Sequence, residues 1–171
     1  MEHSIFDKNA ATLRELYNQI KVSLVDRELD DEHHELWVAA CERFHSSFDR
    51  LAFPGGLERE LDLLKRGDVQ AVEMAVRFLE VDPWFFRSGY IKEEILLALR
   101  KVTLTDDQRE RLREVIMDRI NKGSGREFRR YCRLAKNLVN ADFVTKVGRA
   151  MTSDDANASR RAGWVMHVLQ S

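Results

Sequence analysis

The chain has 171 residues, 44% hydrophobic and 33% charged, with two prolines, eight glycines and two cysteines. Those proportions exclude a disordered chain and a disulfide-framework domain, and no segment reaches the roughly 18 to 20 apolar residues that span a bilayer. The formal charge of -1 conceals a division: residues 1–85 carry 10 Lys+Arg against 18 Asp+Glu (-8), and residues 86–171 carry 18 against 11 (+7). A like-signed surface of that size captures partners by electrostatic attraction and says little about fold, so the division points to binding.

Apolar residues recur at three- and four-residue spacing almost throughout, and strict alternation is missing, which predicts an all-α chain. Leu13, Leu16, Tyr17, Ile20 and Leu24 form one inward stripe. Leu36, Trp37, Ala40, Phe44, Phe48 and Leu51 form a second, ended by Pro54-Gly55-Gly56. A short third helix through Leu57, Leu61 and Leu64 stops at Gly67 after the cations Lys65 and Arg66, which suit the negative end of a helix dipole.

Beyond Gly67 the spacing predicts a repeat. Asp68, Thr105 and Asp142 each read as a helix N-cap, and they lie 37 residues apart. Gln108 completes a capping box with Thr105. Each capped helix leads through a connector to a second helix: Asp82-Pro83-Trp84 to Ile91, Ile95 and Leu99, Gly123-Ser124-Gly125 to Phe128, Tyr131 and Ala135, and a shorter third pair ends in Ala158, Ala162, Val165 and Leu169. The helix from Val69 to Leu79 is apolar around much of its circumference and requires neighbours on several sides.

The three caps, the Asp82-Pro83 turn and the following Arg87 resemble HEAT-like and armadillo-like helical repeats over residues 68–170. The resemblance implies stacked antiparallel hairpins in a right-handed α-α superhelix of about nine helices. The whole chain then reads as a single domain, acidic over 1–67 and basic over 68–170. A non-repeating helical bundle is the alternative topology.

Three clusters are candidates for function. Arg126, Arg129, Arg130 and Arg133 fall on one face of a helix by the i, i+3, i+4, i+7 rule. That face is either a docking stripe for an acidic partner or phosphate backbone, or is answered internally by carboxylates such as Glu110, Glu114 or Asp118. In the stretch from Asp82 to Lys92, four aromatics accompany Arg87 and Lys92; Trp84 and Phe85 suit a wedge between hairpins, while Arg87, Tyr90 and Lys92 suit exposure at an interface. Asp30, Asp31, Glu32 and Glu35 surround His33 and His34, and serve either as cap and dipole partners or as an acidic patch that meets a basic protein.

No cofactor or metal is expected, because no HExxH, CxxC, GxSxG, GxGxxG or GxxxxGK[ST] pattern is present. Cys41 and Cys132 lie far apart and read as reduced thiols, and Met1–Ala10 has no signal-peptide pattern, so a cytoplasmic protein is expected. The function these readings favour is a non-catalytic protein-binding module, most concretely a bacterial immunity or antitoxin-like protein that covers a toxin's active site. The alternative is a nucleic-acid binder or base-modifying enzyme with a basic groove; HEAT-like DNA glycosylases pair a carboxylate with aromatics, for which Asp82 and Trp84 would stand.

Overall fold

A computed structural model describes residues 4–123 and 125–171. Among these the only regular structure is helical: α1 (Ile5–Asp26), α2 (Asp31–Ala52), α3 (Leu57–Lys65), α4 (Val69–Val81), α5 (Ser88–Leu99), α6 (Asp106–Lys122), α7 (Phe128–Ala135), α8 (Ala141–Ala150) and α9 (Ala156–Leu169), with a 3₁₀ turn Lys136–Leu138 after α7. The all-α expectation therefore holds.

Short polar side chains start these helices by accepting bonds from first-turn amides that have no helical partner. Asp30 accepts from His33 N at 2.9 Å, Asp68 from Gln70 N and Ala71 N at 3.0 Å, and Asp155 from Asn157 N at 2.8 Å. Thr105 and Gln108 form the expected reciprocal box. Asp142 is a correction, because α8 is capped by Asn140, which accepts from Phe143 N at 2.7 Å. Asp142 instead sits in the first turn and pairs with Lys146 one turn on, at 3.0 Å. At α3 the partner comes from another helix: Asp49 of α2 accepts from Glu58 N at 3.1 Å. Gly56, at φ +95°, makes room, since a Cβ there would stand 2.8 Å from the Asp49 carboxylate. Helix α3 ends as expected at Gly67 (φ +78°), where Asp68 N bonds Leu63 O and Gly67 N bonds Leu64 O, a Schellman motif.

The chain divides into two compact units. Unit 1 comprises the chain up to Asp62 with Val81–Ser88, and unit 2 comprises Leu63–Glu80 with Gly89–Ser171. Formal charge follows this division: 8 Lys+Arg against 15 Asp+Glu in unit 1 (-7), and 20 against 14 in unit 2 (+6).

In unit 1, α1 and α2 pair lengthwise, and the aromatics of the connector between α4 and α5 pack on them. Phe86 stacks on Tyr17 with ring centroids 4.5 Å apart, buried Phe85 meets Phe48 edge-on, and Arg14 Nη1 donates to the Trp84 carbonyl at 2.7 Å. Trp84 itself is 72% exposed, so only Phe85 of the pair is buried.

In unit 2, polar ties recur at separations of 31 to 38 residues. Arg111 of α6 grips Glu80 of α4 with two bonds (2.7 and 2.8 Å) and reaches Glu73 at 2.9 Å. Lys146 of α8 meets Glu114 of α6 at 2.8 Å, and Asn137 donates to the Arg100 carbonyl at 2.9 Å. Helix α9 packs on α6, α7 and α8, and its buried Arg161 donates to the carbonyls of Ile120 and Asn121, closing the negative end of α6. The buried face runs through Val76, Phe78, Ile95, Leu99, Leu112, Ile116, Ile120, Phe143, Val147 and Val165.

The bonds from Glu80, then Glu73 and Asp107, hold the Arg111 pKa above its ordinary value. Burial pushes Glu73 up, but hydrogen bonds from Gln108 and Arg111 outweigh it and leave its pKa below the ordinary 4.5. A carboxylate depressed in the folded state contributes stability that is complete above its unfolded pKa and is lost as pH falls through the folded one. The acid-side decline in unfolding free energy should therefore set in below about pH 4.5 and be shallower in Glu73→Gln, as read from denaturant titrations at successive pH values. At neutral pH, Arg161→Leu should reduce stability by about 2 kcal/mol, because two α6 carbonyls lose a charged donor.

Candidate functional site

Two surfaces combine uncovered apolar groups with unanswered charge, one in each unit. The first is the tip of the α1–α2 hairpin. Among the described residues of these helices the buried ones lie away from the tip, at Phe6, Ala10 and Leu13 of α1 and from Ala40 through Phe44 to Ala52 of α2. Leu24 and Leu36 keep the helical period but are exposed, which corrects their assignment to the inward stripes. Val22, Val25 and Leu29 are exposed beside them, at 64, 81 and 69%. A groove of about 470 Å³ between the helices is lined by Val22 and Leu36, with Asp26, His33 and Arg43 among its polar walls.

Carboxylates rim this tip. Asp30 is committed to the α2 cap, and its Oδ1 also lies 2.7 Å from His33 Nδ1. Asp31, Glu32 and Glu35 are exposed and make no ion pair among the described residues. Asp30 thus serves the cap, and Asp31 and Glu32 occupy the first turn of α2, where the helix dipole favours carboxylates, while their side chains stay exposed. The sequence signal missed for Val22, Val25 and Leu29 is an apolar group off the inward stripe and next to an acidic run.

The second surface is a groove of about 750 Å³ in unit 2, between the start of α7 and the end of α9, lined by Arg126, Arg129, Arg133, Trp164, His167 and neighbouring side chains. Helix α7 begins at Phe128, so Arg126 lies in the preceding turn and the four arginines do not share one helical face. Arg126 donates to Glu93 at 2.7 Å and its guanidinium lies 3.6 Å from the Tyr90 ring centroid; the Glu93 bond, chiefly, raises its pKa. Arg130 is half-buried and approaches the same Glu93 at 4.0 Å. The internal carboxylate is therefore Glu93; Glu110 serves Arg113, Glu114 serves Lys146, and Asp118 serves Arg119 and Lys122. Arg129 and Arg133 are exposed, with no ion pair or hydrogen bond among the described residues.

Trp164 and His167 are not among the sequence candidates, since neither belongs to the inward stripe of Ala158, Ala162, Val165 and Leu169. Trp164 is 49% exposed, 6.0 Å from Phe128 and 5.7 Å from the Arg160 guanidinium. Cys132, also in the groove wall, has its thiol pKa pushed up to about 11 by burial, which keeps it protonated and a poor nucleophile at neutral pH. Of the remaining predicted residues, Arg87 is exposed at φ +70° and Tyr90 is exposed. Lys92 is a correction: at 4% exposure its ammonium cannot belong to an open basic surface.

Among the described residues no three His, Cys, Asp or Glu side chains are placed to hold a metal ion, and no helix is long and apolar enough to cross a membrane. Comparison with known protein families, curated proteins and solved structures yields no match.

The hydrogen bond from Asp30 raises the His33 pKa above 6.5, and the backbone amide of His33, with its ring, lowers that of Asp30. His33 is elevated in the folded state, so the pair's contribution is complete below pH 6.5 and is lost as pH rises through the elevated value. In an NMR titration the His33 ring should have its midpoint above 6.5, and the midpoint should fall in Asp30→Asn, which keeps the cap but removes the charge.

Proposed function

We propose that this chain is a non-catalytic protein-binding module whose partner docks on the tip of the α1–α2 hairpin. The observation that carries the reading is the exposure of Val25, Leu29 and Leu36 within a rim of unpaired carboxylates, Asp31, Glu32 and Glu35. Covering one exposed Val or Leu contributes about 1.5 kcal/mol or more. Carboxylates around such anchors select a basic partner and accelerate its capture.

The most concrete form of this reading is a bacterial immunity or antitoxin-like protein. A toxin that cleaves or binds nucleic acid presents a basic cleft, and an acidic surface with apolar anchors is complementary to it. The unlinked thiols Cys41 and Cys132 fit a cytoplasmic place of action. For the fold, we infer a HEAT-like stack of hairpins in unit 2; the ties at 31 to 38 residues support it, since each hairpin meets the next at nearly one repeat.

As bait in the source cell, the chain should retain a basic protein that is toxic when expressed alone and harmless when coexpressed. Val25→Asp/Leu29→Asp should weaken that association at least tenfold with helicity unchanged, and the association rate of the wild type should fall as salt rises. Equal retention by both baits, or a rate indifferent to salt, would contradict the proposal.

A further inference from the structure

We infer that the groove between α7 and α9 is a binding site for single-stranded nucleic acid, separate from the hairpin tip and independent of what the tip binds. Three observations meet there. Arg129 and Arg133 are exposed and unanswered by any carboxylate among the described residues, in a unit whose formal charge is +6. Four residues on one helix set them about 6 Å apart along its axis, so they follow a line of charges rather than converge on one. Arg126 lines the same groove, although Glu93 holds it, and the Arg160 guanidinium lies 5.7 Å from the Trp164 ring.

The second observation concerns type. All these cations are guanidinium groups, planar donors that bind phosphate oxygens through paired bonds, and His167 is the only other basic side chain of the wall. The third is the half-exposed indole of Trp164. An acidic peptide would answer the arginines and leave that ring unused, whereas an unpaired base has a flat apolar face to lay on it. A duplex keeps its bases stacked on one another and offers the indole nothing. Guanidinium groups along a groove with an aromatic platform inside it are what a single strand requires.

The test is fluorescence anisotropy with a labelled oligothymidylate of about 12 nucleotides. Two phosphate contacts to a single strand, one each at Arg129 and Arg133, give a slope near -1.4 against log salt, so affinity should fall about sevenfold between 50 and 200 mM salt. Arg129→Gln/Arg133→Gln and Arg129→Glu/Arg133→Glu should each weaken binding at least tenfold. Trp164→Leu should weaken it about tenfold, and the isolated variant's circular dichroism should match the wild type. Lys8→Glu/Lys21→Glu, exposed positions of unit 1 with the same change in net charge as the glutamate pair, should leave affinity within twofold. Absence of binding at 50 mM salt would overturn the inference, as would equal weakening by the Lys8/Lys21 variant. So would polyglutamate or a duplex competing as well as the single strand with Trp164→Leu without effect, which would mark a general anion surface. Each of these results leaves the reading of the hairpin tip unaffected, since no tip residue is changed.

Discussion

Helix α6 cannot bury Leu112, Ile116 and Ile120 against a single neighbour, and the rest of unit 2 is arranged by that need. These three side chains are fully enclosed, and α7, α8 and α9 all pack against the helix that carries them. Polar groups then fix which turn meets which. Arg111 ties α6 to α4, Lys146 ties α8 to α6, and Arg161 reaches from α9 to the last carbonyls of α6. Burial supplies the drive and these bonds supply the register, a division that follows from their natures: apolar contact is nondirectional, and a paired guanidinium is not.

Unit 1 obeys the same rule and leaves it incomplete. Its two long helices are sealed at one end by Phe6, Leu13 and Phe44, and Tyr17 carries the packing onward through Phe86. Toward the tip the apolar residues continue while the cover stops. Burial in unit 1 thus ends where exposed carboxylates outnumber cations, and exposed arginines stand in unit 2 around Trp164. The two surfaces differ in chemistry as well as sign, since aliphatic groups among carboxylates suit a protein and an indole among guanidinium groups suits an unpaired base.

The helical class, the starts at Asp68 and Thr105 and the stop at Gly67 were legible in the sequence, because caps and period are local and carry their own physical reason. The Asn140 cap was not: Asp142 fits the 37-residue interval as well, and only the backbone distinguishes a cap from a first-turn carboxylate. Exposure was the less legible property. Leu36 and Leu24 have the spacing of buried residues, and spacing cannot tell whether the chain or something else covers them. Lys92 fails in the opposite direction, a cation that reads as surface and is enclosed. The arginine run illustrates the limit for charge: its members are adjacent in sequence, yet Glu93, 33 residues from Arg126, occupies two of them and leaves Arg129 and Arg133 open.

On this reading, opposite potentials stand uncancelled on the α1–α2 tip and in the α7–α9 groove. Paramagnetic probes that differ only in charge, added to the isotopically labelled protein, read this most directly through the broadening of individual NMR signals. A cationic probe should broaden the methyl signals of Val22, Val25, Leu29 and Leu36 preferentially, and an anionic probe the side-chain signals of Arg129, Arg133 and Trp164. Equal broadening of both sets by both probes would mean that the charges are neutralised within the molecule, and would contradict the account.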